Sequence, residues 1–509
     1  MFLIILACLV ALLYYYTTRN HSYWAKKNVK HERPIPLFGT HFRNIVALKS
    51  ASELAHEFYV KFSDEKVIGA YRGNDKELIV KDPDIIRDIL MVDFNNFHNR
   101  GFGRDPEKEP LMKNLFHAED DLWKLLRHKL TPAFTTAKLK SMFPLIVQCA
   151  EKLVGLGENI IANGGDCDIR EVMAKFTTEF IGACGFGIEM DTINNDNSVF
   201  RQIGKKMFSR SDMEVFWFAI WDMFPEVRNI MNLTNKKLER VMFDMVTKIF
   251  EQRNYKSIGR NDFVDLLLDY FSQGKIQSES IKYKNPDGTA KQVDMEMDID
   301  VMVAQVFVFF AAGFETSSST TSYTLHELAY HPETQKKIQE EIDRVLIKYD
   351  NKLCYDAVNE MTLLDMAMKE ALRLMPAVGV LNRQCVKPYT IKQVGLTIEP
   401  GVNIIIPVQS LHLDEKYFDD PYEFKPERFA DEDFNQRTKN VYLPFGAGPR
   451  ACIGARLGQM QSLAGLAVML HNFSVEPSKN AKRNLNINPR LNVVQGVLHG
   501  VPIKLIKRK

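Results

Sequence analysis

The chain has 509 residues, 45% of them hydrophobic, with 66 Lys and Arg against 64 Asp and Glu, a formal net charge of +2. That balance gives no general attraction to nucleic acid. A bare length prior suggests about three domains, but no Gly/Ser-rich or Pro-rich linker separates any beyond the N-terminus, so one large domain is expected. The seven cysteines, Cys8, Cys149, Cys167, Cys184, Cys354, Cys385 and Cys452, are odd in number and scattered without a Cys-x-x-Cys. This argues against a disulfide framework and for a reducing compartment.

Residues 1–18 are uncharged and almost wholly apolar, just long enough for a membrane-spanning helix. Arg19, Lys26, Lys27, Lys30 and Arg33 follow and none precedes, which places the C-terminal side in the cytoplasm. There is no positive n-region, no small-residue cleavage site and no Arg-rich amphipathic pattern. The segment is therefore expected to be a signal anchor in the endoplasmic reticulum membrane, not a removed signal or a transit peptide. Residues 19–39 form a basic, proline-rich hinge. It ends in Arg33-Pro34-Ile35-Pro36-Leu37-Phe38-Gly39, expected to be stiff and extended. Residues 40–509 remain for the main domain.

Val67-Ile68-Gly69-Ala70-Tyr71-Arg72 and Glu77-Leu78-Ile79-Val80 flank Gly73-Asn74-Asp75, which predicts a hairpin. Asp82-Pro83 then starts a helix, with Asp82 as N-cap. An aromatic, Gly-rich loop covers residues 94–103. Trp123 and Arg127 stand four apart, on one helical face; such a pair is ordinarily a packed surface pair. Residues 150–255 read as mostly helical. Within them residues 213–225 are unusually aromatic, fit either for the core or for a surface dipping into a bilayer. Residues 278–298 are polar, contain Asn285-Pro286-Asp287-Gly288, and predict an exposed loop.

Residues 301–314 are nearly all apolar between Asp298, Asp300 and Glu315. About 14 uncharged residues fall short of the roughly 20 that cross a bilayer, so a buried central helix is expected. It contains Ala311-Ala312-Gly313-Phe314-Glu315-Thr316. Gly313 is costly in a helix interior and is expected to let the helix open locally. The Glu315 carboxyl and Thr316 hydroxyl need partners there. Glu370 and Arg373 follow at i, i+3 in another helix. Residues 378–385 read as a strand leaving Pro376, and residues 403–407 as another. His412 reads as a satisfied structural histidine. The tail predicts a hairpin between residues 491–494 and 503–506.

Near the end stands Phe445-Gly446-Ala447-Gly448-Pro449-Arg450-Ala451-Cys452-Ile453-Gly454, a loop whose glycines permit tight turns and close approach. A helix pattern begins at Ala455, so Cys452 sits where free N–H groups and the helix dipole favour a thiolate. The pattern Phe-x-x-Gly-x-Arg-x-Cys-x-Gly should arise by chance about 10⁻⁴ times in a chain of this length. It resembles the haem-thiolate loop of the cytochrome P-450 monooxygenases.

The resemblance implies a mainly α fold with a small β-rich lobe (α+β), and heme b (iron protoporphyrin IX) held by Cys452 as axial ligand to the iron. It implies cofactor contacts from Trp123, Arg127, Ala312, Gly313, Arg383, Phe445, Arg450 and Gly454. Thr316 would hydrogen-bond dioxygen or a water beside it, and Glu315 would pass protons inward. Glu370 and Arg373 would join Arg428 in a buried structural charge network. The run from Asn114 to Phe134 is similar to insect microsomal enzymes that oxidise plant toxins and insecticides. Phe116, His117, Phe309, Val378 and Val380 would then line the substrate site, although a solvated loop histidine remains the plain reading of His117.

The implied partners are a membrane-bound NADPH-cytochrome reductase, cytochrome b5 as an optional donor, dioxygen, a lipophilic small molecule and membrane lipid. No nucleotide-binding glycine fingerprint is evident in the chain itself. A reductase-independent haem-thiolate isomerase would not need Glu315 and Thr316. A silent lipid-binding protein would not need Cys452, Arg450 and Thr316. A cysteine hydrolase would need a base beside Cys452. An endogenous hormone or lipid stands as the alternative substrate.

Overall fold

The computed structural model describes residues 1–508 except 189, 191, 194–197, 208–209, 261 and 492. It is mainly α-helical, with a four-stranded sheet forming a small β lobe, as expected, and smaller sheets elsewhere. The helix Ile299–Tyr330 is the axis of the molecule. It starts where Asp298 accepts a hydrogen bond from Val301 N at 2.7 Å, and its 32 residues run about 48 Å. It is long and apolar enough to cross a bilayer, yet helices Ile169–Ile181, Lys236–Gln252, Thr362–Leu374 and Ala455–Asn472 pack around it. Val303, Val306, Phe310, Leu325 and Leu328 are buried in the main core, each burial stabilising by roughly 1.5–3 kcal/mol.

The helix does not open at Gly313. It runs as one α-helix through that residue. A Cβ there would lie 2.0 Å from Ile181 Cδ1, so the glycine is explained by close crossing with the helix Ile169–Ile181.

The β lobe is a four-stranded sheet. Val67–Arg72 pairs antiparallel with Asp75–Val80, which pairs parallel with Asn403–Ile406, which pairs antiparallel with Leu381–Gln384. Gly73 turns the predicted hairpin at φ +57°. Asp82 caps the next helix by accepting from Asp84 N and Ile85 N. The strand expected from residue 378 begins only at Leu381.

Three other expectations are corrected. Residues 33–39 are not extended: Ile35 and Gly39 close a tight turn by two backbone hydrogen bonds of 2.7 and 2.8 Å, with Leu37 and Gly39 at positive φ. Residues 278–298 are not a loop. Lys275–Lys284 and Ala290–Glu296 form a hairpin, whose polar, solvated face hid its alternation. The tail hairpin does not form. Pro502–Lys507 pairs instead with Phe473–Pro477 and with Asp166–Asp168; Asn492, in the other expected strand, lies outside the described residues.

The helix Phe2–Thr18 projects with almost all of its apolar side chains exposed. Its end is docked: Tyr16 stacks on Phe224 and hydrogen-bonds Glu226, Arg19 pairs with Glu226 at 2.7 Å, and Asn74 Nδ2 donates to Tyr16 O at 2.7 Å. Beside it, helix Asp212–Met223 turns Met213, Phe216 and Trp217 outward; its aromatic face is surface, not core.

Gly313→Ala is expected to destabilise by about 1–3 kcal/mol through overpacking, and Ile181→Val, which removes the opposing Cδ1, to restore much of the loss. Equal melting temperatures with and without Ile181→Val in the Gly313→Ala background would contradict the contact explanation.

Candidate functional site

Cys452 lies at the end of a loop that folds onto itself. Its N–H donates to Phe445 O at 2.9 Å, and Ala451 N donates to Gly448 O at 2.9 Å. Gly446 and Gly448 take φ near +70°. A Cβ on Gly448 would lie 1.8 Å from Leu90 O, so only glycine lets the loop pass residue 90. The helix Ala455–Asn472 follows, with Gly454 as N-cap. Cys452 is accessible although protein atoms surround it. Burial pushes its thiol up, against the Gly454 N–H and the positive charges of Arg127 and Arg100, which pull it down. A bound cation would add to the pull of these donors toward the thiolate.

Around the loop stand four guanidiniums, those of Arg383 and Arg450 buried and those of Arg100 and Arg127 half-buried. Arg450 Nε donates to His98 O at 2.6 Å and Nη2 to Ala118 O at 2.8 Å, with its guanidinium 4.4 Å from the centre of the Trp123 ring. Arg127 Nη1 donates to Ala451 O at 2.9 Å. Arg383 Nη1 donates to Asn382 O at 2.8 Å. Arg100 Nη1 donates to Phe116 O at 2.7 Å. Burial and then mutual repulsion push Arg450, Arg383 and Arg100 well below the ordinary arginine range. Among the described residues their hydrogen bonds go to backbone carbonyls rather than carboxylates, and Arg450 Nη1 and Arg383 Nε are buried without a partner. Glu119 and Asp120 offset part of the Arg450 charge; the remaining surplus of positive charge and the unpartnered nitrogens are costly, so the site suits a dianion.

Opposite runs the central helix. Within 301–329, Ala312 is the one exposed residue; Val308 and Thr316, four to either side, are half-buried. This stripe faces accessible space. Thr316 Oγ1 donates to Ala312 O at 2.6 Å. Glu315 is buried and ion-paired with Arg170.

A family profile, Cytochrome P450, matches residues 30–505. The chain is 35% identical over 507 residues to Cytochrome P450 6B2 of Helicoverpa armigera, covering 99% of this chain and 98% of that one. It is 34% identical to Cytochrome P450 6a2 of Drosophila melanogaster, covering 99% and 98%, and 33% identical to Cytochrome P450 6d3 of Musca domestica, covering both fully.

The chain belongs to the cytochrome P450 family. Its activity is oxidation that incorporates oxygen, drawing on dioxygen, an organic substrate and an electron-donating partner. Its cofactor is haem, and the residues fit that group. Two propionates match the unpartnered guanidiniums, and a single thiol matches a metal that brings four ligands of its own. Among the described residues no cluster of three His, Cys, Asp or Glu side chains is placed to hold a bare ion.

Beneath the site, Glu370 and Arg373 are fully buried and paired through two hydrogen bonds of 2.7 and 2.8 Å. Arg428 Nε adds a third at 3.0 Å and Lys425 N a fourth at 2.9 Å. Arg373 also donates to the carbonyls of His412, Pro421 and Glu423. His412 accepts from Leu443 N at 2.9 Å, and burial followed by the Arg373 charge lowers it to about 3. It is a structural histidine, as expected.

The predicted substrate residues do not come together as one group. Phe116 stacks on Phe102 at 5.4 Å, with the Arg100 guanidinium 4.3 Å from its ring centre. His117 packs on both rings and is lowered to about 3 by burial and then by Arg104 and Arg100, so it is not a solvated loop histidine. Phe309 stacks on Phe263 at 4.6 Å, meets Phe134, whose ring also approaches Gly454, and lies against Gly185; seven residues before Thr316, it shares that residue's side of the helix and is half-buried. Val380 packs with Leu54, Phe58 and Ile405 of the β lobe. Val378 is half-buried.

Sequence reading missed Arg100 and Arg170. Arg100 lies in an aromatic loop with no motif, and Arg170 is 145 residues from Glu315; only the fold pairs them. Glu370→Ala would leave two buried guanidiniums unpaired. It is expected to cost about 3–5 kcal/mol, read as a lower melting temperature and loss of haem during purification. A variant with the parent's haem content would contradict the network's structural role.

Proposed function

We propose that this cytochrome P450 is an NADPH-dependent unspecific monooxygenase of the endoplasmic reticulum membrane, oxidising lipophilic xenobiotics such as plant toxins or insecticides. The observation that carries the monooxygenase reading is the pairing of an accessible Ala312–Thr316 face with a buried acid, Glu315, at its inner end. Haem, when bound, supplies oxygen activation with two electrons delivered singly by a separate NADPH-cytochrome reductase, cytochrome b5 being an optional donor. One oxygen atom enters the substrate and the other leaves as water with two protons. Cys452 would hold the iron through its sulfur. Arg100, Arg127, Trp123, Arg383 and Arg450 bind the propionates, and Phe445, Ala312, Gly313 and Gly454 shape the walls.

The chain's part in proton delivery falls to three groups. The Thr316 hydroxyl, already donating to Ala312 O, offers its lone pairs to a proton donor. Glu315, a carboxylate while paired with Arg170, would leave that pair, take a proton from solvent and pass it on. Phe102, Phe116 and His117 form an apolar wall suited to flat lipophilic substrates, since the histidine is held neutral. The xenobiotic reading rests on the likeness of this stretch to insect enzymes of that kind.

Residues 1–18 are the anchor, with residues 19–39 as hinge and residues 40–509 as the monooxygenase domain on the cytoplasmic face. Exposed apolar residues Met213, Phe216 and Trp217 beside the docked anchor end support a bilayer-facing roof over residues 213–225.

Reduced protein with carbon monoxide is expected to show the red-shifted Soret band of a thiolate-ligated haem; a band at the imidazole position in folded, haem-loaded protein would remove Cys452 as ligand. Thr316→Ala is expected to divert electrons into peroxide, measured as product formed per NADPH consumed, and an unchanged ratio would remove the proton-delivery role. Spectral titration with plant toxins, insecticides and steroids decides the substrate class: shifts with steroids alone would overturn the xenobiotic reading.

A further inference from the structure

Asp120 opens the helix that carries Trp123 and Arg127, and it does so at φ +50°. A non-glycine residue in the left-handed region is strained, so something must hold it there. Its carboxylate is fully engaged. Oδ1 meets His98 Nε2 at 2.8 Å and accepts from Asn99 Nδ2 at 2.9 Å. Oδ2 accepts from Lys282 Nζ at 2.9 Å. The Asp120 N–H returns to Asn99 Oδ1 at 2.9 Å, which closes a reciprocal clasp. Burial pushes this carboxyl up, but His98, Lys282 and Asn99 outweigh it and hold it well below the usual range.

The clasp lies one layer outside the guanidinium cluster. On one side, His98 O receives Arg450 Nε, Asn99 O receives Gln384 N beside Arg383, and Arg100 comes next in the chain. On the other side, the helix brings Trp123 to Arg450 and Arg127 to Ala451 O. One carboxylate thus joins the segments that bear all four arginines. Lys282 comes from the hairpin Lys275–Lys284/Ala290–Glu296. The hairpin also seats Ser280 Oγ on both oxygens of Asp121 at 2.9 Å and Ile281 N on Asp121 Oδ1 at 2.6 Å. It brackets the first turn of the helix.

We propose that Asp120 is a positioning residue for haem: its clasp with His98, Asn99 and Lys282 fixes the arginine-bearing segments at the separation the two propionates require, with the 275–296 hairpin as outer brace. This rests on the guanidinium cluster being the seat of the propionates.

The test uses the full-length holoenzyme and two readouts: the rate of haem transfer to excess apomyoglobin, and the haem reduction potential. Asp120→Gly removes the carboxylate but adopts φ +50° freely. It is expected to lose haem about tenfold to a hundredfold faster while the thiolate spectrum of the loaded fraction is unchanged. Asp120→Asn keeps an oxygen for His98 and Asn99 but turns an NH2 toward Lys282 and removes the charge; it should raise the potential, since an anion near the haem is gone. Lys282→Ala, which removes only the hairpin's ion pair with Asp120, should speed haem loss less and lower the potential. Haem transfer from Asp120→Gly at the parent's rate overturns the proposal, whatever its melting temperature. Arg100→Ala separates the two ideas. Fast haem loss from it, with none from Asp120→Gly, leaves the propionate seat standing and removes the clasp. Parent-like retention in both removes the seat as well.

Discussion

Arg383 and Arg450 are buried, with half-buried Arg100 close enough to repel both, and the protein offers all three backbone carbonyls as hydrogen-bond acceptors in place of carboxylates. In a low-dielectric interior such a cluster is tolerable only when an anion completes it. The rest of the site follows from that constraint. The segments carrying the arginines are remote in sequence, and each is tied down by a neighbour's main chain: His98, Phe116, Ala118, Asn382 and Ala451 all supply carbonyls. The Cys452 loop is fixed by the same contacts, because Arg127 holds Ala451 and Arg100 reaches Arg450 O at 3.4 Å. Thiol and cation cluster are therefore positioned as one unit.

That unit sits between two rigid parts. Below it, Glu370 neutralises Arg373 and Arg428 in a network with well-satisfied geometry, the condition under which buried ion pairs are tolerable. Above it, the central helix presents its one exposed small residue, Ala312, with Thr316 a turn further on. Gly313 brings that helix against Ile181, so the distance between helix and loop is set by packing. The charge chemistry of the site is thus held by elements that carry out none of it.

Much of this was legible in the chain. The Cys452 loop, the Glu370/Arg373 spacing and the Trp123/Arg127 pair are local patterns, and local patterns survive folding. Elements whose identity depends on remote partners were not legible. The 275–296 hairpin looks like a loop because one of its faces is solvated and the other rests on Asp120 and Asp121. The last strand was assigned to the wrong neighbour, since Phe473–Pro477 and Asp166–Asp168 compete for it only in three dimensions. Phe309 packs on the Phe263 and Phe134 rings, partners remote in sequence that its place on the helix does not reveal. Arg100 and Arg170 carry no local signal at all. Gly313 was noticed for the right reason, its cost in a helix, but the cost is met by close packing rather than by an opening.

The cluster's demand for a dianion can be measured directly by binding haem and its dimethyl ester to the same apoprotein. The two share iron and porphyrin and differ in the two negative charges. The account expects the diacid to bind at least about tenfold more tightly, a difference of about 1.4 kcal/mol, and to raise the melting temperature where the ester does not. Equal affinity and equal stabilisation by the two would contradict it.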